Sequence, residues 1–142
     1  MSQRGFTLIE AVAVLALASI LVYVSAYAFV NAAPRQHLAR SAWAVTGLLN
    51  NAKFKAVWSG SKYRVRVDEG RLFLERFDEP ALEWRVDRVV TVEGVSVEAN
   101  NSPVFHPIGT VSDMATITVS NRSGCYRISV AITGRVKSVR LS

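Results

Sequence analysis

Arg4-Gly5-Phe6-Thr7-Leu8-Ile9-Glu10 opens the stretch that decides the fold. It runs on as Ala11-Val12-Ala13-Val14-Leu15 and meets no further charge until Arg35. A helix of ~25 apolar residues rising ~1.5 Å per residue is long enough to cross a ~30 Å hydrocarbon core. Backbone polar groups in lipid must be satisfied within the segment, so a lone span of this kind is a helix. The polar piece before it, Met1-Ser2-Gln3-Arg4-Gly5, is short. A cleaved secretory signal would carry a shorter apolar run closed by a small-residue site. The plain reading is therefore a helix that stays in the membrane.

Glu10 asks for more than an anchor. A carboxylate inside an apolar span costs ~2.5–3.5 kcal/mol on insertion scales, so it is normally paired or functional. A residue near the helix end that is neutralised by protonation is the simpler alternative.

The order of these features resembles the class III leader of type IV prepilins and type II secretion pseudopilins: a Gly-Phe junction, a Glu shortly after it, then an uncharged helix. The resemblance implies cleavage between Gly5 and Phe6 by a prepilin peptidase on the cytoplasmic side, with Phe6 becoming the N-methylated first residue. Glu10 then becomes an assembly residue. Its carboxylate would face the new ammonium at Phe6 of a neighbouring subunit, because two buried charges that are each costly alone are tolerable as a pair. Arg4 precedes the span, whereas Arg35 and Arg40 follow it. The distribution of positive charge alone therefore does not orient the helix. A cytoplasmic N-terminus and a periplasmic head follow from the resemblance.

With 142 residues there is room for one domain beyond the span. The chain carries 17 Lys and Arg against 11 Asp and Glu, and the balance permits attraction to polyanions. Cys125 is the single cysteine, so no internal disulfide forms, and a lone thiol of this kind is expected to be buried and inert. No zinc-type ligand spacing, phosphate-loop glycine pattern or nucleophile motif is present. The expectation is a non-enzymatic chain without metal or cofactor.

Beyond Pro34, a residue expected to kink or loosen the helix, residues 36–57 read as an amphipathic continuation. Leu38, Ala42, Val45, Leu49, Ala52 and Ala56 recur at spacings of three and four. Trp43, Leu48 and Phe54 are expected to widen that apolar face. Ser59-Gly60-Ser61 stops the helix, and the period then changes to two. Tyr63, Val65 and Val67 alternate with Arg64 and Arg66, and Asp68-Glu69-Gly70 turns the chain into a returning strand over 71–77. Arg64 and Arg66 are expected on a solvated face with Glu75 across the hairpin.

Residues 83–87 and 89–98 read as two further strands, with Gly94 as a bend or bulge within the second. Trp84 is expected in the core or over the helix. A short strand at 104–106 holds His106, read as a hydrogen-bonded structural residue. Strands over 115–120, 125–133 and 135–141 close the chain, with Tyr126, Ile128, Val130 and Ile132 on one face and turns at 121–124 and 133–134.

The closing third carries a second resemblance. The Phe-x-Pro-x-Gly segment from Phe105 to Gly109, the Gly124-Cys125-Tyr126-Arg127 strand and Thr133-Gly134-Arg135-Val136-Lys137 are similar to the GspH/FimT-type pseudopilins and minor pilins. That family implies an α+β fold of the type IV pilin-like kind, in which a long N-terminal transmembrane helix packs against antiparallel sheets. The division expected is a leader at 1–5, a transmembrane and filament-core helix at 6–33, its amphipathic continuation at 34–58 and a periplasmic β-rich head at 59–142.

The function implied is that of a minor subunit of a type II secretion pseudopilus or of a type IV pilus tip. Its partners would be other pilins, the prepilin peptidase, an inner-membrane assembly platform and the lipid bilayer. In some minor pilins of this kind a basic C-terminal Gly-Arg segment binds DNA during uptake, which would fall here on Arg135, Lys137 and Arg140, with Arg122 and Arg127 nearby. Those DNA-binding versions tend to have Arg where this chain has Lys137, and Lys contacts phosphate without the planar guanidinium fork. The bland reading of the same residues is a solvated basic edge strand that discourages strand-to-strand aggregation.

Overall fold

A computed structural model describes residues 7–141, and side chains there except at residues 30–32. It divides into two compact units, Met1–Ala33 and Pro34–Ser142. Helix α1, Leu8–Ser59, contributes to both and contains Pro34.

In the first unit the described side chains from Leu8 onward point outward, including Leu15 at 69% exposure and Leu21 at 68%. Part of α1 is long and apolar enough to cross a membrane, with a mean hydropathy of 2.3 over a window that has no buried residue.

In the second unit, Leu38, Ala42, Val45, Leu49, Ala52 and Ala56 are buried, which is the stripe that the three-and-four spacing marks out. Leu48 joins them, but Trp43 and Phe54 do not. They are 75% and 63% exposed, and Phe54 stacks on Trp58 along the helix surface with ring centroids 6.0 Å apart. The covered stripe is thus narrower than the distribution of apolar residues suggests. Gly60, with φ of +65°, stops α1 in the left-handed conformation that glycine adopts without strain.

Two antiparallel sheets follow. The first has the order β3-β2-β1-β5-β6, from β1 Tyr63–Asp68, β2 Arg71–Asp78, β3 Glu83–Thr91, β5 Val104–Phe105 and β6 Val111–Ser112. The second has the order β4-β7-β8-β9, from β4 Ser96–Ala99, β7 Thr116–Asn121, β8 Gly124–Val130 and β9 Val136–Leu141. One core joins helix and sheets: Leu38 to Ala56 from α1, Val65, Leu72, Leu74 and Phe105 from the first sheet, and Val97, Ile117, Val119, Ile128 and Val130 from the second.

The β1–β2 hairpin has the register expected, with Arg64 opposite Glu75, and Glu69 and Gly70 take φ of +47° and +74° in its two-residue turn. Strand β3 corrects the reading of the next segment. Residues 83–91 are one strand, and its register slips where Leu74 meets Arg88 and Glu75 meets Val86. Asp87 is the extra residue of a bulge, and its carboxylate accepts a hydrogen bond from Lys55 of α1. The break in alternation there marks a bulge, not a strand end. Gly94, with φ of +71°, lies in the crossing to the second sheet and not within a strand. Ile132 is also displaced from expectation: β8 ends at Val130, and Ile132 is 61% exposed in the following turn.

The outer face of the first sheet holds the other correction. Trp84 is outside the core, with the Arg64 guanidinium 4.4 Å from its ring centroid. Glu75 is buried beneath this layer. Its carboxylate accepts from Arg64 Nε at 2.7 Å and from Arg66 Nε at 3.2 Å, and Arg66 lies 4.5 Å from the Phe73 centroid. Asp68 first, and Glu75 next, hold the Arg66 guanidinium above its ordinary pKa. The pair of arginines is therefore a half-buried layer that neutralises Glu75, not a freely solvated face.

Candidate functional site

The sequence singles out two candidate places, one toward each end of the chain. At the first, Gly5 and Phe6 lie outside the described residues. Thr7 caps α1: its carbonyl accepts from the amides of Glu10 and Ala11 at 3.1 Å each, and its hydroxyl lies 3.4 Å from the Glu10 amide. Thr7-Leu8-Ile9-Glu10 has the spacing of a capping box, a signal that the sequence held and that the reading of Glu10 as an assembly residue had passed over. Glu10 sits in the first helical turn, where the macrodipole favours a carboxylate, and its side chain is exposed. Local structure thus accounts for a carboxylate at this position and leaves it free to meet another chain.

The second place is the β8–β9 hairpin. The Gly134 amide donates to the Ala131 carbonyl at 2.8 Å, and the Ala131 amide donates to the Arg135 carbonyl at 2.9 Å, which closes the turn. Gly134 has φ of +70°, and a Cβ there would lie 2.5 Å from the Gly109 carbonyl oxygen. Lys53 of α1 donates to the Gly134 carbonyl at 3.2 Å. The Val111 amide donates to the Ile132 carbonyl at 2.8 Å. The two sequence segments that resemble the same family, Phe105 to Gly109 and Thr133 to Lys137, therefore meet in space, and the glycine makes that approach possible.

The register sorts the cations beyond the turn. Lys137 pairs with Ser129, Val139 with Arg127 and Arg140 with Tyr126. Strand alternation puts Lys137 on the outer face with Arg127 and Ser129, whereas Arg140 points the other way, on the side of Tyr126 and Ile128. Arg135 and Lys137 line one shallow depression with Ser129. All four cations are exposed, and none is paired with a described carboxylate. Arg122 is in the β7–β8 turn. The structure thus brings together Arg135, Lys137 and Arg127, and separates Arg140 from them.

Cys125 is half-buried on β8, not fully enclosed. His106 hydrogen-bonds through Nε2 to the Ser112 hydroxyl at 2.9 Å, which is the structural role expected of it. Among the described residues no cluster of three or more His, Cys, Asp or Glu side chains is arranged to hold a metal.

Comparison with known proteins bears on the N-terminal motif and on the fold. The family described as Prokaryotic N-terminal methylation motif matches residues 1–22. No curated protein matches. The fold is similar to that of the minor pseudopilin EpsH from the type II secretion system of Vibrio cholerae. One EpsH structure has a TM-score of 0.65 and 14% identity over 75% of this chain and 96% of that one. A second has a TM-score of 0.64 and 16% identity over 73% and 97%. The type IV minor pilin FimU of Pseudomonas aeruginosa PAO1 has a TM-score of 0.60 and 14% identity over 72% of this chain and 88% of that one. The chain thus combines an N-terminal methylation motif with the α+β fold shared by a minor pseudopilin and a minor pilin.

Proposed function

We propose that this chain is a non-enzymatic minor subunit of a type II secretion pseudopilus or of a type IV pilus tip. One observation carries the reading: the methylation motif at residues 1–22 opens a chain whose remainder has the EpsH and FimU fold. Residues 1–5 are then the leader, 6–33 the membrane and filament-core helix, 34–58 its continuation and 59–142 the periplasmic head. A prepilin peptidase cuts between Gly5 and Phe6, and Phe6 is N-methylated. The subunit waits in the inner membrane, and an assembly platform feeds it into a filament of other pilins. There the Glu10 carboxylate neutralises the Phe6 ammonium of a neighbour.

Mass spectrometry of the chain purified from membranes of its host tests this. The expected N-terminal peptide begins at methylated Phe6. An intact Met1 or a cut elsewhere leaves an ordinary signal-anchored domain and overturns the reading. Secretion genes or pilus and competence genes beside the coding sequence would separate the two filaments.

A second reading, DNA binding during uptake, is favoured by one observation: Arg135, at the end of the turn, and Lys137, on the terminal strand, are exposed and line one depression with no carboxylate partner among the described residues.

A further inference from the structure

Resting on the proposed membrane anchorage, we infer that the outer face of α1 beyond Pro34 is a bilayer-docking face: before assembly it lies among the anionic headgroups of the membrane that holds the span. A second stripe on α1, turned away from the core, carries the inference. Successive residues advance ~100° around an α-helix, so Gln36, Arg40, Trp43, Gly47, Phe54 and Trp58 fall within about 40° of one line. That line runs opposite the buried stripe from Leu38 to Ala56. All six residues are exposed, and Trp58 is the most open of the three aromatics at 82%.

The chemistry of the stripe selects lipid. Aromatic rings beside cations are the side chains that settle at a membrane–water boundary. From Pro34 to Ser59 the sequence has Arg35, Arg40, Lys53 and Lys55, and no Asp or Glu. Asp87 engages Lys55, and the Gly134 carbonyl engages Lys53. Arg35 and Arg40 are exposed and have no ion pair among the described residues. Anionic headgroups supply the missing counter-charge. The bilayer is also within reach, because the same helix runs back from Pro34 into the apolar unit. Docking is therefore intramolecular, and the effective concentration of lipid is high.

Docking needs a bend, since one straight helix cannot both cross a bilayer and lie along it. Pro34 supplies the place: it has no amide to give to the carbonyl of residue 30, so α1 bends there most easily. Asn121 Nδ2 donates to the Pro34 carbonyl at 2.8 Å. That contact ties Pro34 to the β7–β8 turn, so the bend falls before Pro34 and the stripe beyond it keeps its shape.

The test uses the three tryptophans, Trp43, Trp58 and Trp84, none of which precedes residue 34. Trp84 is the internal control, because it stands on the face of the first sheet turned away from α1. The full-length chain is reconstituted in vesicles of phosphatidylglycerol and phosphatidylcholine, the latter brominated high on its acyl chains. Each tryptophan is read with the other two replaced by phenylalanine. Relative to unbrominated vesicles, Trp43 and Trp58 lose emission and Trp84 does not. Arg40→Gln shifts the ratio of docked to undocked chain about fivefold toward undocked, and omitting phosphatidylglycerol shifts it further. Gly47→Leu changes nothing, since a Cβ there meets no atom within 4 Å and the side chain would point into fluid lipid. Unchanged circular dichroism keeps loss of folding apart from loss of docking.

No bromine quenching at Trp43 and Trp58, or quenching equal to that of Trp84, overturns the docked face while the anchor stands. Quenching indifferent to phosphatidylglycerol overturns the headgroup charge as its ligand. Trp43 and Trp58 shielded from bromine at high protein-to-lipid ratio, and uncovered by Gly47→Leu, assign the face to the helix of a second copy and overturn lipid as the occupant. A chain that separates from the vesicles on flotation overturns the anchorage and the inference together.

Discussion

At Gly134 the backbone takes a φ of +70° under the Gly109 carbonyl oxygen, which would lie 2.5 Å from an added Cβ. A non-glycine residue there bears both left-handed strain, ~1–2 kcal/mol, and a clash with backbone that does not yield easily. Gly134→Ala is expected to lower unfolding free energy by about 3 kcal/mol in denaturant titration followed by tryptophan fluorescence. Gly47, in the interior of α1 with nothing within 4 Å of an added Cβ, is the contrast: Gly47→Ala should stabilise by about 0.5–1 kcal/mol. The sequence showed a turn glycine at 134, but not that the turn leans on the segment around Gly109, because that approach joins residues with no local pattern in common.

Glu75 gives the same lesson with charge. Its two arginines are legible from alternation, but its burial is not, since that depends on Trp84 and Phe73 roofing the layer. Glu75→Ala is expected to cost about 2 kcal/mol, less than for a wholly buried pair because both arginines keep access to water. A cost under about 0.5 kcal/mol would mean that the guanidiniums are satisfied by water alone.

Among elements, α1 separates what spacing determines from what composition suggests. The three-and-four recurrence placed Leu38 through Ala56 inside, and all six are buried. Trp43 and Phe54, assigned to the same face by their apolarity, lie off the stripe because the sheets cover only part of the helix circumference. Leu49→Ala should therefore destabilise the head by about 3 kcal/mol, whereas Trp43→Ala and Phe54→Ala should stay within about 0.5 kcal/mol. Equal losses at Leu49 and Phe54 would show a wider covered face. Strand positions were legible for a similar reason, since period two is local. Sheet membership was not. The chain crosses between sheets over residues 92–95, and nothing in its alternation distinguishes a crossing from a bend. Strand β6, only Val111–Ser112, is too short to show a period at all.

At the scale of the whole molecule, the sequence announces a span and a head, and the structure has a bare apolar helical unit and a second unit with its own core. Glu10 is where the proposed assembly role can be tested apart from the folding of the head. Glu10→Gln is the informative change. The Thr7 cap is made to the backbone amides of residues 10 and 11, which glutamine leaves in place, so the start of α1 is preserved. Glutamine also removes the cost of placing a carboxylate in lipid, so membrane insertion is unchanged or improved. Only the charge that would meet a neighbour's Phe6 ammonium is lost. Recovery of the variant in sheared, pelleted filaments should then fall at least about tenfold, the equivalent of ~1.4 kcal/mol, while its amount in the membrane fraction and the protease resistance of its head stay as in the unmodified chain. Normal incorporation of Glu10→Gln would show that register in the filament is set by packing of the apolar helices rather than by charge. It would also leave the helix macrodipole as the local reason for a carboxylate at this position.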